Sequence, residues 1–297
     1  MSLDDLKPQS PRTASNTRVP GPARQYGERA LAGAREAQAM CRTVLDVAFG
    51  ADYYQKLDLY LPDTMPDATV PVLLFCHGGA WQHGYKEWSG LMAPAFVDLP
   101  AIFVAASYRK VPEAKFPAPL EDAFLALQWV RQNIGAHGGD IGRIFAGGWS
   151  VGGTLASLVT LRKELYGEYE LPEDVVKACF SASAGYRYRA NLKAPGDSGI
   201  TYGELMYEDP KDEVLAEPIS YVAGNKTPFY VSHGTDDFEH VIRSSGDMVA
   251  ALKAAGCRVA YDVFEGMDHY QVNLAHGDTS GKWVQTVRGW MTELPAA

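Results

Sequence analysis

Cysteine is scarce in this chain. Only Cys41, Cys76, Cys179 and Cys257 occur, far apart and with no C-x-x-C pair. Cys76 and Cys179 lie inside apolar runs, where a free thiol behaves as a small hydrophobe, and a reduced, cytoplasmic compartment is the simplest expectation. Long apolar runs are missing too. No stretch approaches the roughly 18 residues that cross a bilayer, so no membrane association is expected. Met1 to Asp5 show neither the basic region nor the apolar region of a signal peptide. Basic patches are absent: the formal net charge is −9 and no Lys/Arg run stands out, which argues against a nucleic-acid partner. No H-E-x-x-H or other close ligand spacing occurs, so no metal is expected. No G-x-G-x-x-G follows an early strand, so no dinucleotide is expected either, and the chain reads as one that works without a cofactor.

What is present is ordinary globular composition, with 46% hydrophobic and 21% charged residues in 297. Residues 1 to about 22 are polar, with Pro8, Pro11, Pro20 and Pro22, and read as a flexible tail or extended arm. Ala23 to Met40 reads as a helix. The arm and helix together form a segment 1–42, a candidate to pack on the site or on a second copy in a homodimer. Thr43–Phe49 and Gln55–Leu61 read as a hairpin, with Leu57, Leu59 and Leu61 on one face and Lys56, Asp58 and Tyr60 on the other. Beyond Pro71 come continuous apolar runs at 72–76, 102–106, 144–146, 178–181, 229–232 and 260–264. Continuous runs imply strands buried on both faces, as in a parallel sheet. Helical segments near 119–134, 152–165, 240–255 and 279–292 separate them. This alternation predicts an α/β domain over 43–297: a mostly parallel, doubly wound sheet opened by an antiparallel N-terminal hairpin. Residues 185–222 break the rhythm and are expected to form a lid-like insertion.

Two segments carry chemistry. Gly148-Trp149-Ser150-Val151-Gly152 has the G-x-S-x-G spacing of a nucleophile elbow, a tight strand-to-helix turn that leaves no room for side chains two residues either side of the serine. Upstream, His77-Gly78-Gly79-Ala80-Trp81 has the form of a glycine-rich loop that offers backbone amides to an oxyanion. Each follows an apolar, strand-like run, and together they point to a serine hydrolase.

With these, the chain resembles the α/β-hydrolase superfamily over residues 43–293. Within it the chain is similar to the branch holding hormone-sensitive-lipase-like esterases and kynurenine formamidases. The oxyanion pentad is one match. Ser107-Tyr108-Arg109 with the stretch from Lys115 to Asp122 is a second, and Gly138-Gly139-Asp140 before Arg143 is a third. Gly266-Met267-Asp268-His269-Tyr270 resembles the loop that carries the catalytic histidine. Asp237-Phe238-Glu239-His240 resembles the formamidase segment after the acid. The chain departs from both patterns at Trp149 and Val151, and from the formamidase pattern at Ala80.

The resemblance implies the α/β-hydrolase fold and the order nucleophile, acid, base. Ser150 is the implied nucleophile. Asp237, three residues after Gly234 in an H-G-x-x-D pattern, is the implied acid, with Asp236 as its neighbouring alternative. His269 is the implied base, with His276 as its rival, and His77 is expected to brace the oxyanion loop. The amides of Gly78, Gly79 and Val151 are the implied oxyanion donors. Trp81, Trp149 and Tyr186 are candidate pocket walls for an aromatic or compact acyl group. The expected activity is Ser-His-Asp hydrolysis of a small-molecule carboxylic ester or arylformamide. The alternative is a non-catalytic small-molecule binder on the same scaffold, against which the complete triad order speaks.

Overall fold

The structure is a computed structural model that describes residues 21–187 and 201–294. Its chain order is α1 (Gly21–Met40), β1 (Arg42–Ala48), β2 (Lys56–Leu61), β3 (Val70–Cys76), α2 (Ala93–Val97), β4 (Ile102–Ala106), α3 (Ala118–Asn133), β5 (Gly139–Trp149), α4 (Val151–Leu161), β6 (Val176–Ala182), α5 (Tyr202–Met206), β7 (Phe229–Asp236), α6 (Glu239–Ala254), β8 (Val259–Asp268), α7 (His269–Ala275) and α8 (Lys282–Glu293). Short 3-10 turns, among them Lys86–Met92, fill several connections.

Alternation within each strand sends side chains to two separate cores. Leu57, Leu59, Val72, Leu74, Ile144 and Ala146 pack with α3 and α4, whereas Leu73, Phe75, Phe103, Phe145 and Phe180 pack with α1, α2 and α8. The sheet between them has eight strands in the order β1-β2-β4-β3-β5-β6-β7-β8. Strands β3 to β8 run parallel; β1 and β2 pair antiparallel with each other, and β2 pairs antiparallel with β4. The winding reverses between β3 and β5, which opens a crevice beyond the C-terminal ends of those two strands. The glycine loop leaves β3 there, and Ser150 leaves β5 there. The topology therefore brings the two motifs together.

The structure differs from the sequence pattern in four places. The Lys56, Asp58 and Tyr60 face of β2 is not solvated: Asp58 and Tyr60 are buried, because α1 and the turn Lys86–Met92 cover them. The buried Lys86 ammonium there meets Asp46, Asp58 and Glu87 at 3.0, 3.0 and 2.7 Å. Three opposing carboxylates offset the cost of taking that charge out of water. β8 reads as a buried run but is the sheet edge, and Tyr261 and Val263 are 37% and 45% exposed. α1 begins at Gly21 rather than after Pro22, since proline fits the first helical turn, where its missing N–H has no partner to lose. The described part of the lid-like insertion is packed down. Met206 and Ala216 are fully buried, and Phe116 and Lys115 donate to the carbonyls of Met206 and Tyr207. Residues 188–200 of that insertion, Tyr188 among them, and the arm 1–20 lie outside the described residues.

Candidate active site

Ser150 sits at φ 57°, ψ −128°, a strained turn that a non-glycine residue rarely adopts. Its amide donates to the Ala182 carbonyl at 2.9 Å, which fixes the turn to β6. A Cβ at Gly152 would overlap the Cys76 carbonyl oxygen, so glycine there lets α4 start hard against β3. α4 is buried along its whole length, and its N-terminus with the Val151 amide points at the Ser150 position.

His269 opens α7 directly after β8. Its Nε2 lies 2.9 Å from Ser150 Oγ and its Nδ1 lies 2.7 Å from Asp237 Oδ1. The Phe238 amide donates to that same Oδ1 at 2.7 Å. Burial alone raises the Asp237 carboxyl. The hydrogen bond and charge of His269, the Ser183 hydroxyl and the Phe238 amide outweigh it and hold the pKa below the usual carboxylate value. Ser183 is fully buried and sits at φ 48°. Nothing in the sequence pattern signals it, because its approach to Asp237 comes from β6 and β7 lying side by side. Asp236 does not share this role. It is exposed and accepts from the Thr235 hydroxyl. His276, the rival base, is fully buried elsewhere, stacked on Trp283 at 3.8 Å between ring centres, with no hydrogen-bond partner on either nitrogen among the described residues. Burial pushes its pKa down to about 3.

The loop after β3 turns sharply through Gly79, Ala80 and Trp81 at φ 137°, 52° and 66°. Side chains rarely adopt such angles, and at Gly79 a Cβ would also strike the His83 carbonyl. The amides of Gly78, Gly79 and Val151 donate to no described residue. His77 braces the loop. Its ring stacks on Tyr108 at 4.4 Å, its Nδ1 lies 2.6 Å from the Gly78 carbonyl, and the Tyr108 hydroxyl donates to the His77 carbonyl at 2.8 Å. Burial, reinforced by nearby Lys110, lowers the His77 pKa and keeps the ring neutral. Lys110 is itself buried over the Tyr54 ring at 3.7 Å, and burial lowers its pKa to about 7.

The three aromatic pocket candidates need correction. Trp81 and Tyr186 have no accessible surface: Trp81 packs against Phe116 in the core, and the Tyr186 hydroxyl donates to Ser181. Trp149 is 2% exposed and acts as a strut, its indole N–H donating to the His269 carbonyl at 3.0 Å. Fully sequestered rings serve packing, as aromatics commonly do. Behind Trp149 stands Tyr26 of α1, 4.7 Å away between ring centres, whose hydroxyl donates to Asn273 of α7 at 2.8 Å. Thus α1 packs within its own chain, on the back of the histidine helix. Among the described residues, Phe238 lies beside His269 and is 46% exposed. The segment holding it was legible in the sequence; its exposure was not.

The arrangement sets a serine hydroxyl against an imidazole, a carboxylate against the other imidazole nitrogen, and nearby amides that donate to no described residue. Among the described residues no cluster fit to hold a metal ion occurs, and no helix is long and apolar enough to cross a membrane. Residues 57–252 match the family model described as BD-FAE. The chain is 30% identical over 250 residues to an isoprenylcysteine alpha-carbonyl methylesterase of Arabidopsis thaliana, covering 80% of this chain and 58% of that protein. It is 30% identical over 265 residues to Esterase LipC of Mycobacterium tuberculosis (strain ATCC 25618 / H37Rv), covering 84% and 64%. The chain thus spans less than two thirds of either relative. A solved hyperthermophilic esterase from Pyrobaculum calidifontis superposes with a TM-score of 0.72 at 22% identity, covering 92% of each chain.

Proposed function

Since this chain belongs to the BD-FAE family, in the esterase branch of the α/β-hydrolase superfamily, we propose that it is a carboxylester hydrolase acting through Ser150, His269 and Asp237. The observation that carries this reading is the unbroken hydrogen-bonded line from Ser150 Oγ through His269 to Asp237, with uncommitted amides beside it. A serine hydroxyl is a weak nucleophile until a base takes its proton. His269 Nε2 accepts that proton as Oγ bonds to the ester carbonyl carbon. The resulting oxyanion accepts hydrogen bonds from Gly78, Gly79 and Val151, donors of a kind worth about 10²–10³ in rate each. Collapse breaks the bond to the alcohol oxygen, which leaves with the proton from His269. Water then attacks the acyl-serine by the same route and releases the acid. Asp237, held ionised, keeps Nδ1 protonated and stabilises the imidazolium between the two transfers.

The names of the relatives favour an ester over an arylformamide, while the loop His77-Gly78-Gly79-Ala80-Trp81 favours neither on chemical grounds, since both substrates form the same oxyanion. Turnover of p-nitrophenyl acetate and of N-formylkynurenine, compared side by side with Ser150→Ala as control, tests both. Ester hydrolysis that falls to the spontaneous rate in the variant is expected. An unchanged rate in Ser150→Ala overturns the serine mechanism, and a strong preference for the formamide overturns the ester assignment.

A further inference from the structure

Phe238 leaves 46% of its surface to water although it follows Asp237 directly. It is not a loose loop residue. Its amide is bonded to Asp237 Oδ1, and its carbonyl accepts from the Val241 and Ile242 amides at 2.9 and 3.1 Å, at the start of α6. Its ring has two imidazoles as neighbours. The His269 ring is 4.5 Å away at 36°, and the His240 ring is 5.7 Å away and within 7° of parallel. A large apolar ring fixed in place and left open beside the reacting atoms is surface available for a ligand.

The chemistry says which part of a ligand reaches it. The departing oxygen takes its proton from His269 Nε2, so it must come within about 3 Å of that nitrogen. The leaving group therefore lies on the His269 side of the acyl carbon, away from the Gly78, Gly79 and Val151 amides. A ring packed against His269 meets the alcohol part of an ester. It does not meet the carbonyl oxygen held by those amides.

We propose that Phe238, backed by His240, is a leaving-group subsite that selects esters whose alcohol part is a flat aromatic ring, such as phenyl esters. The proposal rests on the carboxylester-hydrolase reading and adds the substrate class to it. A phenyl leaving group packs against the exposed part of the Phe238 ring as the bond to it breaks, whereas an ethyl group leaves most of that surface wet.

The test compares kcat/KM for phenyl acetate, ethyl acetate and phenyl butyrate in the wild type, Phe238→Ala and Phe238→Trp. Aromatic pairing of the usual strength predicts that the phenyl-over-ethyl preference falls roughly three- to tenfold in Phe238→Ala. Phe238→Trp, which keeps a flat face, restores it. The acetate-over-butyrate preference on the phenyl ester stays at the wild-type value, because the acyl chain lies elsewhere. A phenyl-over-ethyl ratio that does not move, or a change that appears in the acyl ratio, overturns the subsite while leaving the hydrolase reading intact. A wild type that hydrolyses none of the three esters faster than Ser150→Ala overturns the hydrolase reading, and the subsite falls with it.

Discussion

Replacing Trp149 by phenylalanine separates a strut from a pocket wall. The indole N–H holds the His269 carbonyl at 3.0 Å, and the ring lies 4.9 Å from the His269 ring and 4.7 Å from Tyr26. Phenylalanine keeps an aromatic ring but loses the N–H and part of the packed volume. A lost internal hydrogen bond costs about 1 kcal/mol, and an underfilled core site of this size costs about 1–2 kcal/mol more. Stability therefore drops by roughly 2–3 kcal/mol, readable by urea unfolding. The larger effect is kinetic. His269 loses one of its fixings, and misplacing a catalytic base by a fraction of an ångström to an ångström lowers kcat on the order of 10–100-fold. Steady-state kinetics on p-nitrophenyl acetate and p-nitrophenyl butyrate read it. A strut predicts that kcat falls by the same factor on both esters and that the ratio of their KM values stays put. An unchanged kcat with a shifted acyl-length preference refutes the reasoning and returns Trp149 to the pocket wall.

Two further outcomes follow from buried polar groups. Ser183→Ala keeps the Cβ, and so the same backbone strain, but removes a buried hydroxyl whose dipole helps hold Asp237 ionised; kcat falls by roughly threefold. A kcat equal to that of wild type refutes the role. His276 stays neutral in the folded state down to about pH 3, whereas an unfolded histidine protonates near its ordinary 6.5. Below that pH the unfolded state binds a proton the folded state refuses, so folding stability falls by about 1.4 kcal/mol per pH unit from this residue alone. His276→Phe preserves the stack on Trp283 and removes the liability. At pH 5 it retains about 2 kcal/mol more stability than wild type relative to the pH 7.5 difference, and equal acid sensitivity of the two proteins in urea unfolding sinks the account.

Local chemistry and the order of the elements are written in the chain itself. Gly148-Trp149-Ser150-Val151-Gly152 specifies its turn through sterics between near neighbours, and the apolar runs at 72–76 and 102–106 specify strands because a run with no polar face has to be covered on both sides. Relations between segments far apart in the chain emerge from folding alone. His276 stays a rival to His269 in the sequence; the two separate because one begins α7 against Ser150 and the other lies buried against Trp283. Trp149 and Tyr186 read as mouth aromatics because they follow strand ends, but the packing of α1 and β6 around them seals both. Phe238 is one more residue after an acid in the sequence, and it becomes an open surface beside His269 only where β7 and β8 place Asp237 and His269 in contact. Periodicity reports which face of an element is apolar; it does not report what comes to cover that face, because the covering segment is chosen by the sheet's strand order.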